Sequence, residues 1–109
     1  MKVKNRIKKY NEFEKVIHEG KLLRSDFLTL YFLKNEFGYA RVGISIPTKS
    51  GNAVVRNKIK RQIRAVLAKE LDLGIGFDLI FIARKSYDIE NKTKISADIV
   101  TLLKEVGNK

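Results

Sequence analysis

The sequence of 109 residues predicts an α+β fold in the order helix, strand, strand, helix, strand, helix. Two runs rich in aromatic and branched residues, at 27–33 and 39–46, indicate strands. An amphipathic helix pattern spans residues 53–71, and a nearly unbroken apolar run covers residues 77–83. The length and the 44% of apolar residues fit one domain over residues 1–109.

The first helix is predicted over residues 11–19. Asn11 followed three residues later by Glu14 resembles a capping box, and Gly20 ends the helical pattern. Three apolar residues follow the spacing of one helix face: Phe13, Val16 and Ile17.

The strands at 27–33 and 39–46 are predicted to pair with each other. The first is dense in aromatic and branched residues, and the second alternates apolar with small or polar residues. Because only the polar residues 34–38 connect them, we expect an antiparallel hairpin.

The second half of the chain predicts helix, strand and helix. Residues 50–52 supply N-cap chemistry for the long helix over 53–71, whose apolar stripe is Val55, Ile59, Ile63, Val66, Leu67 and Leu71. The apolar run at 77–83 predicts a strand that is covered on both faces. A last helix over 93–106 has its own stripe: Ile95, Ile99, Leu102, Leu103 and Val106.

Positive charge dominates the chain and is unevenly distributed. Lys and Arg number 23 against 12 Asp and Glu, a formal net charge of +11, and no acidic residue lies between Glu36 and Glu70. The first eleven residues are also basic, so the two basic segments could form one surface. This excess predicts a polyanionic partner, with nucleic acid as the first candidate.

Several classes of protein are not supported by the composition. The chain has no cysteine, which excludes disulfides and thiolate metal sites, and no apolar run reaches the ~18 residues of a membrane span. We therefore expect a soluble, cytoplasmic protein. His18 is the only histidine and no carboxylates converge, so neither a catalytic set nor a metal site is predicted.

Five polar or basic residues share one flank of the long helix at ~100° per residue: Arg56, Asn57, Lys60, Arg61 and Arg64. A solvated helix face is the alternative interpretation. Such a face normally carries both signs, whereas like charges at i, i+4 repel by about 0.2–0.5 kcal/mol per pair. The pattern therefore favours a flank that binds phosphates.

Two aromatic residues are candidates for base stacking. Phe13 on the first helix could meet Tyr31 across an open face of the sheet and stack unpaired bases. Both could equally be ordinary core residues, and periodicity leaves the two interpretations open.

Residues 49–64 closely resemble the signature helix of the bacterial ribonuclease P protein family. The similarity extends along the chain through Asn5-Arg6-Ile7, Glu12-Phe13, Leu30-Tyr31, Arg41-Val42-Gly43 and Ile82-Ala83-Arg84-Lys85. The resemblance implies a small αβ sandwich with a mixed sheet. It also implies a left-handed strand–helix–strand crossover, against the usual right-handed preference.

The same resemblance implies a function. The chain would be the protein subunit of the ribonucleoprotein endonuclease that removes the 5′ leader from precursor tRNA. The RNA subunit would cleave with bound magnesium, and the protein alone would be inactive. The protein would raise substrate affinity and lower the magnesium requirement, with no metal of its own and no further protein partner.

The resemblance also implies two sets of site residues. The residues facing the catalytic RNA are Arg56, Asn57, Lys58, Lys60, Arg61 and Arg64. The residues in a central cleft for the single-stranded leader are Phe13, Ile17, Tyr31, Ser45 and Lys49.

Two positions depart from the family pattern. Its Arg-Asn-Arg core ends here in Lys58, which keeps the charge but loses the bidentate fork. Ile17 stands where an aromatic residue is frequent, and an aliphatic side chain cannot stack a base.

Two other functions compete with this one. A structural RNA-binding protein of the ribosomal type would also bind RNA, but it would not prefer a tRNA with a 5′ extension. A protein nuclease is the less favoured alternative, since it should show a cluster of carboxylates.

Overall fold

The computed structural model describes residues 2–108 and contains one four-stranded sheet with helices on both faces. The helices are α1 (Tyr10–Glu19), α2 (Ala53–Glu70) and α3 (Lys92–Gly107). The strands are β1 (Lys21–Arg24), β2 (Leu28–Lys34), β3 (Arg41–Ser45) and β4 (Phe77–Ala83). Short 3-10 turns at Val3–Asn5 and Thr48–Ser50 precede α1 and α2. The predicted α+β class is confirmed, and the predicted domain limits at 1 and 109 lie outside the described residues.

The sheet is mixed, with the strand order β1-β2-β4-β3. β2 is antiparallel to both β1 and β4, whereas β3 is parallel to β4. The predicted hairpin between the strands at 27–33 and 39–46 is therefore wrong, because β4 lies between them. A strand that is apolar on both faces gains most burial at the centre of a sheet, so β4 displaces the sequence-adjacent pairing.

β1 is an edge strand that the sequence pattern did not indicate. It is only four residues long, Lys-Leu-Leu-Arg, and mostly exposed. A tight connection joins it to β2, in which the backbone N–H of Leu28 donates to Ser25 Oγ at 3.1 Å. Charged residues at both ends, Lys21 and Arg24, are typical of an edge that must not pair with another chain.

The helix starts agree only in part with the sequence signals. The Asn52 side chain accepts from the Val55 N–H at 3.0 Å, which is the N-cap predicted for α2. The predicted capping box of α1 is wrong, since the helix begins at Tyr10 without a side-chain cap. The Glu14 carboxylate instead accepts a 2.7 Å hydrogen bond from the Tyr10 hydroxyl.

The main core lies between the sheet and the pair α2 and α3. The predicted stripes are buried there, with Ile59, Ile63 and Leu67 from α2 and Ile95, Ile99, Leu102 and Val106 from α3. Successive residues of β4 point to opposite faces, so Leu79 and Phe81 enter this core while Ile80 faces α1.

The second face of the sheet carries a much smaller core. Its buried members are Ile7, Val16 of α1 and Ile80 of β4. The segment before α1 runs beside the free edge of β3, where the Ile7 N–H donates to the Val42 carbonyl at 2.9 Å. The Asn5 side chain donates to the Ala40 carbonyl at 2.7 Å. The N-terminal segment thus covers one edge of the sheet and brings α1 onto its face.

No helix within residues 2–108 combines the length and the apolar character that crossing a membrane requires.

Gly43 allows α1 to approach the sheet. A Cβ built at this position would lie 2.5 Å from Cζ of Phe13, well inside van der Waals contact. We expect Gly43→Ala to lower the free energy of unfolding by about 1–3 kcal/mol, as measured by thermal or urea denaturation. Gly107→Ala is the control, since a Cβ there meets nothing within 4 Å. An equal loss in both variants would contradict this account of Gly43.

Candidate RNA-binding interface

The basic flank of α2 forms a shallow surface groove. Val54 and four of the predicted RNA-binding residues line it: Asn57, Lys60, Arg61 and Arg64. All but Lys60, which is half-buried, are exposed. Positive charges on one flank with no carboxylate lining the groove create a site that attracts phosphates.

Two predicted residues of this helix lie outside the groove. Arg56 is half-buried beside the apolar stripe, and its Nε is buried without a hydrogen-bond partner within residues 2–108. Lys58 is exposed but, at ~100° per residue, lies about 160° around the helix axis from Lys60. The structure therefore does not bring Lys58 together with the others.

The basic N-terminal segment joins the α2 flank at the β3 edge. Arg6 and Lys8 line one surface depression together with Arg64 and the ring of Phe13. This proximity follows from the pairing of residue 6 with Val42, which carries the segment along β3. The two basic segments of the sequence thus form one surface, as expected.

Three of the predicted cleft residues surround Ile80 on the α1 face of the sheet. Phe13, Ile17 and Tyr31 are partly buried and pack against the cluster that contains Ile80. Gly43 and Tyr31 are the two strand neighbours of Ile80 in the register. Because α1 covers only part of this face, Phe13 and Tyr31 are half-buried.

The remaining predicted cleft residues lie toward the end of β4. Ser45 pairs with Ile82 and is half-buried. It lies two residues after Gly43 on β3, so both residues are on the same face of the sheet. Lys49 is exposed on the 3-10 turn and borders a groove of about 940 Å³ that also includes Thr29 and Ile82. The partly exposed Ile82 connects this groove to the apolar cluster around Ile80.

Sequence reasoning assigned Lys49 to a site but missed other residues of this groove, among them Ile82, Arg84 and Lys85. Arg84 and Lys85 are exposed and directly follow the buried strand β4. A basic pair at the end of a predicted central strand is the sequence signal that could have identified Arg84 and Lys85. Together with Lys49, they place positive charge at the mouth of the groove.

The loop after β4 is fastened to α2 by hydrogen bonds. The Tyr87 hydroxyl donates to Gln62 Oε1 at 2.9 Å, and Gln62 Nε2 donates to the Ile89 carbonyl at 2.8 Å. Burial raises the pKa of Tyr87 above its ordinary value, so the hydroxyl keeps its proton for this bond. α2 thus holds the Arg84–Lys85 loop on the side opposite its basic flank.

Within residues 2–108, no three His, Asp or Glu residues form a group that could hold a metal ion. His18, the histidine of α1, is exposed.

The model of the family "Ribonuclease P" matches residues 1–107. The chain belongs to the ribonuclease P protein family. The ribonuclease P protein component of Clostridium botulinum strain 657 is 39% identical over 105 residues, or 94% of this chain and 95% of the relative. The component from Mycoplasma mycoides is also 39% identical, over 97% of this chain and 99% of the relative.

Solved structures of ribonuclease P proteins have the same fold. The Staphylococcus aureus protein superposes with a TM-score of 0.85 at 33% identity, covering 94% of each chain. The Thermotoga maritima protein gives 0.81 at 30% identity, covering 92% of this chain and 96% of the other.

Membership of the ribonuclease P family identifies the general role of the chain. The chain is a protein component of a tRNA-processing endonuclease, and the family works with an RNA subunit. The resemblance based on residues 49–64 is confirmed. RNA binding is the family's general role, and the family match disfavours the alternative of a structural RNA-binding protein without a part in tRNA processing.

We expect the α2 flank to dominate affinity for a bacterial ribonuclease P RNA. Replacing the groove residues Lys60, Arg61 and Arg64 together by alanine should weaken binding and reduce the slope of log K against log salt. Each lost phosphate contact should contribute about 0.7–0.9 to that reduction. A salt titration of RNA binding measures both effects.

The control removes three positive charges elsewhere: Lys69, Lys92 and Lys104, all exposed, are replaced by alanine. An equal loss of affinity in the two triple variants would mean that total charge, not this flank, determines binding.

Proposed function

We propose that the chain binds the catalytic RNA through the α2 flank and the 5′ leader of precursor tRNA in the cleft between α1 and the sheet. The partial cover that α1 gives the sheet carries this proposal. It leaves Phe13, Tyr31 and Ile82 partly exposed, with basic residues at both ends of the cleft.

The chemistry of the cleft suits a single strand. Unpaired bases offer flat faces that stack on aromatic side chains such as Phe13 and Tyr31, whatever their sequence. Ile17 supplies an apolar wall without a ring, and the Ser45 hydroxyl can donate to or accept from a base or sugar. Lys49 supplies a mobile positive charge for the leader phosphates.

In this proposal the RNA subunit cleaves the phosphodiester, and magnesium acts through that RNA. The protein contributes positive charge beside the substrate, so fewer free cations are needed to neutralise the phosphates that meet there. The result is higher substrate affinity and a lower magnesium requirement. The chain alone has no nuclease activity and works in the cytoplasm.

Single-turnover cleavage at low magnesium tests the function. A precursor tRNA with a 5′ leader is cleaved by a bacterial ribonuclease P RNA, with and without this chain. We expect the chain to accelerate cleavage. The RNA with the chain should bind mature tRNA no more tightly than the RNA alone. RNA binding without acceleration would support the structural RNA-binding alternative instead.

The leader cleft is tested by changing one ring at a time. Phe13→Leu keeps an apolar side chain but removes the stacking surface, so we expect the holoenzyme to lose about 1–3 kcal/mol of affinity for leader-bearing precursor. Tyr31→Phe keeps the ring and should change little. Affinity for mature tRNA, measured in the same binding assay, should stay constant in both variants. Equal losses for precursor and mature tRNA would contradict the cleft.

A further inference from the structure

Arg41 at the start of β3 is held rigidly by its strand neighbour. Its Nε donates to Asp78 Oδ1 at 2.9 Å and its Nη2 donates to Asp78 Oδ2 at 2.7 Å, a bidentate pair. The two side chains are only 11% and 9% exposed. Arg41 and Asp78 are also register partners on β3 and β4, so this pair is internal to the sheet.

Neighbouring side chains fix the guanidinium further. The Asn35 amide donates to Asp78 Oδ1 at 2.9 Å, and the Phe37 ring lies 4.4 Å from the Arg41 guanidinium carbon. The hydrogen bonds from Arg41 to Asp78 raise the pKa of Arg41 above its ordinary value, so its charge is permanent. The sheet thus presents a positive group of fixed position toward α1.

One donor of Arg41 leaves the sheet and reaches the helix. Its Nη1 donates to Glu12 Oε2 at 2.9 Å, and Glu12 lies in the first turn of α1. Glu12 is 30% exposed, so this is the outer member of the network. The bond joins a helix to the sheet across 29 positions of sequence.

At this end α1 is held by the preceding segment, whose Ile7 N–H donates to the Val42 carbonyl, and by the Glu12–Arg41 bond, which joins the first turn itself to the sheet. Its buried core residue, Val16, lies one turn further along, and its N-cap residue Lys9 makes no side-chain cap bond. Phe13, the residue after Glu12, lies against the backbone of Gly43. A shift of Glu12 away from Arg41 would therefore also lift the Phe13 ring from the sheet.

We propose that Glu12 and Arg41 are positioning residues that set the distance between the first turn of α1 and the sheet, and with it the width of the leader cleft beside Phe13. This inference rests on the leader cleft proposed above. Neither residue needs to touch the leader; they act by holding Phe13 in place, while Asp78 holds Arg41.

Loss of the Glu12–Arg41 bond lowers the fraction of chains in which the leader cleft has the width that binding requires. The apparent dissociation constant rises in inverse proportion to that fraction. We expect Glu12→Ala to weaken holoenzyme binding to leader-bearing precursor tRNA about three- to tenfold. Glu12→Gln should have a smaller effect, because an amide oxygen still accepts from Arg41 but without the charge.

The matched control breaks another side-chain bond of α1, one that does not reach the sheet. The Tyr10 hydroxyl donates to Glu14 Oε1 at 2.7 Å, and Tyr10→Phe removes this exposed bond while leaving Glu12 and Arg41 in place. We expect this variant to bind precursor and mature tRNA like the parent chain. Affinity for the catalytic RNA alone should be unchanged in all of these variants.

Hydrogen exchange supplies a readout of the helix itself. In Glu12→Ala the amides of α1 should exchange faster, while those of β4 keep their protection. Faster exchange in β4 together with weaker binding of the catalytic RNA would reveal general destabilisation and overturn the positioning role.

Phe13→Leu separates the two proposals. If it reduces the preference for leader-bearing precursor while Glu12→Ala does not, the cleft stands and the positioning role is wrong. If neither variant changes that preference, the cleft assignment fails and the positioning role fails with it.

Discussion

Burial of β4 on both faces is the constraint on which the rest of the architecture depends. Leu79 and Phe81 require one apolar cover and Ile80 requires another, so helices must pack on both sides of the sheet. α2 and α3 together supply a large cover on the first side. On the second side the short α1 and Ile7 cover only the centre, and this difference in cover leaves the partly exposed surface of the proposed cleft.

The elements in which the spacing of apolar residues indicates the buried face could be predicted from the sequence. The stripes of α2 and α3, the apolar run of β4 and the Asn52 cap all depend on residues close together in the chain. The pairing of β2 with β4 could not be predicted in this way, because it depends on which strand gains most from a central position. β1 was too short and too exposed to produce a pattern.

In the candidate site, too, the residues that helical spacing brings together could be predicted, and those that only the tertiary fold brings together could not. The flank with Lys60 and Arg64 is visible in the sequence because helical spacing alone brings its members together. The resemblance added Lys58, which helical spacing puts on another side of α2. The network of Glu12, Arg41 and Asp78 was not visible, since its members lie 29 and 37 positions apart and meet only through sheet register and helix docking.

α2 presents two different flanks to its surroundings. One carries the basic groove, and the other holds the loop of Arg84 and Lys85 through Gln62 and Tyr87. Its 18 residues form a rod of about 27 Å, at ~1.5 Å per residue, that is anchored along its length in the main core. In the proposed function, this helix would hold the RNA bound on its basic flank at a set distance and angle from the leader bound beside the Arg84–Lys85 loop.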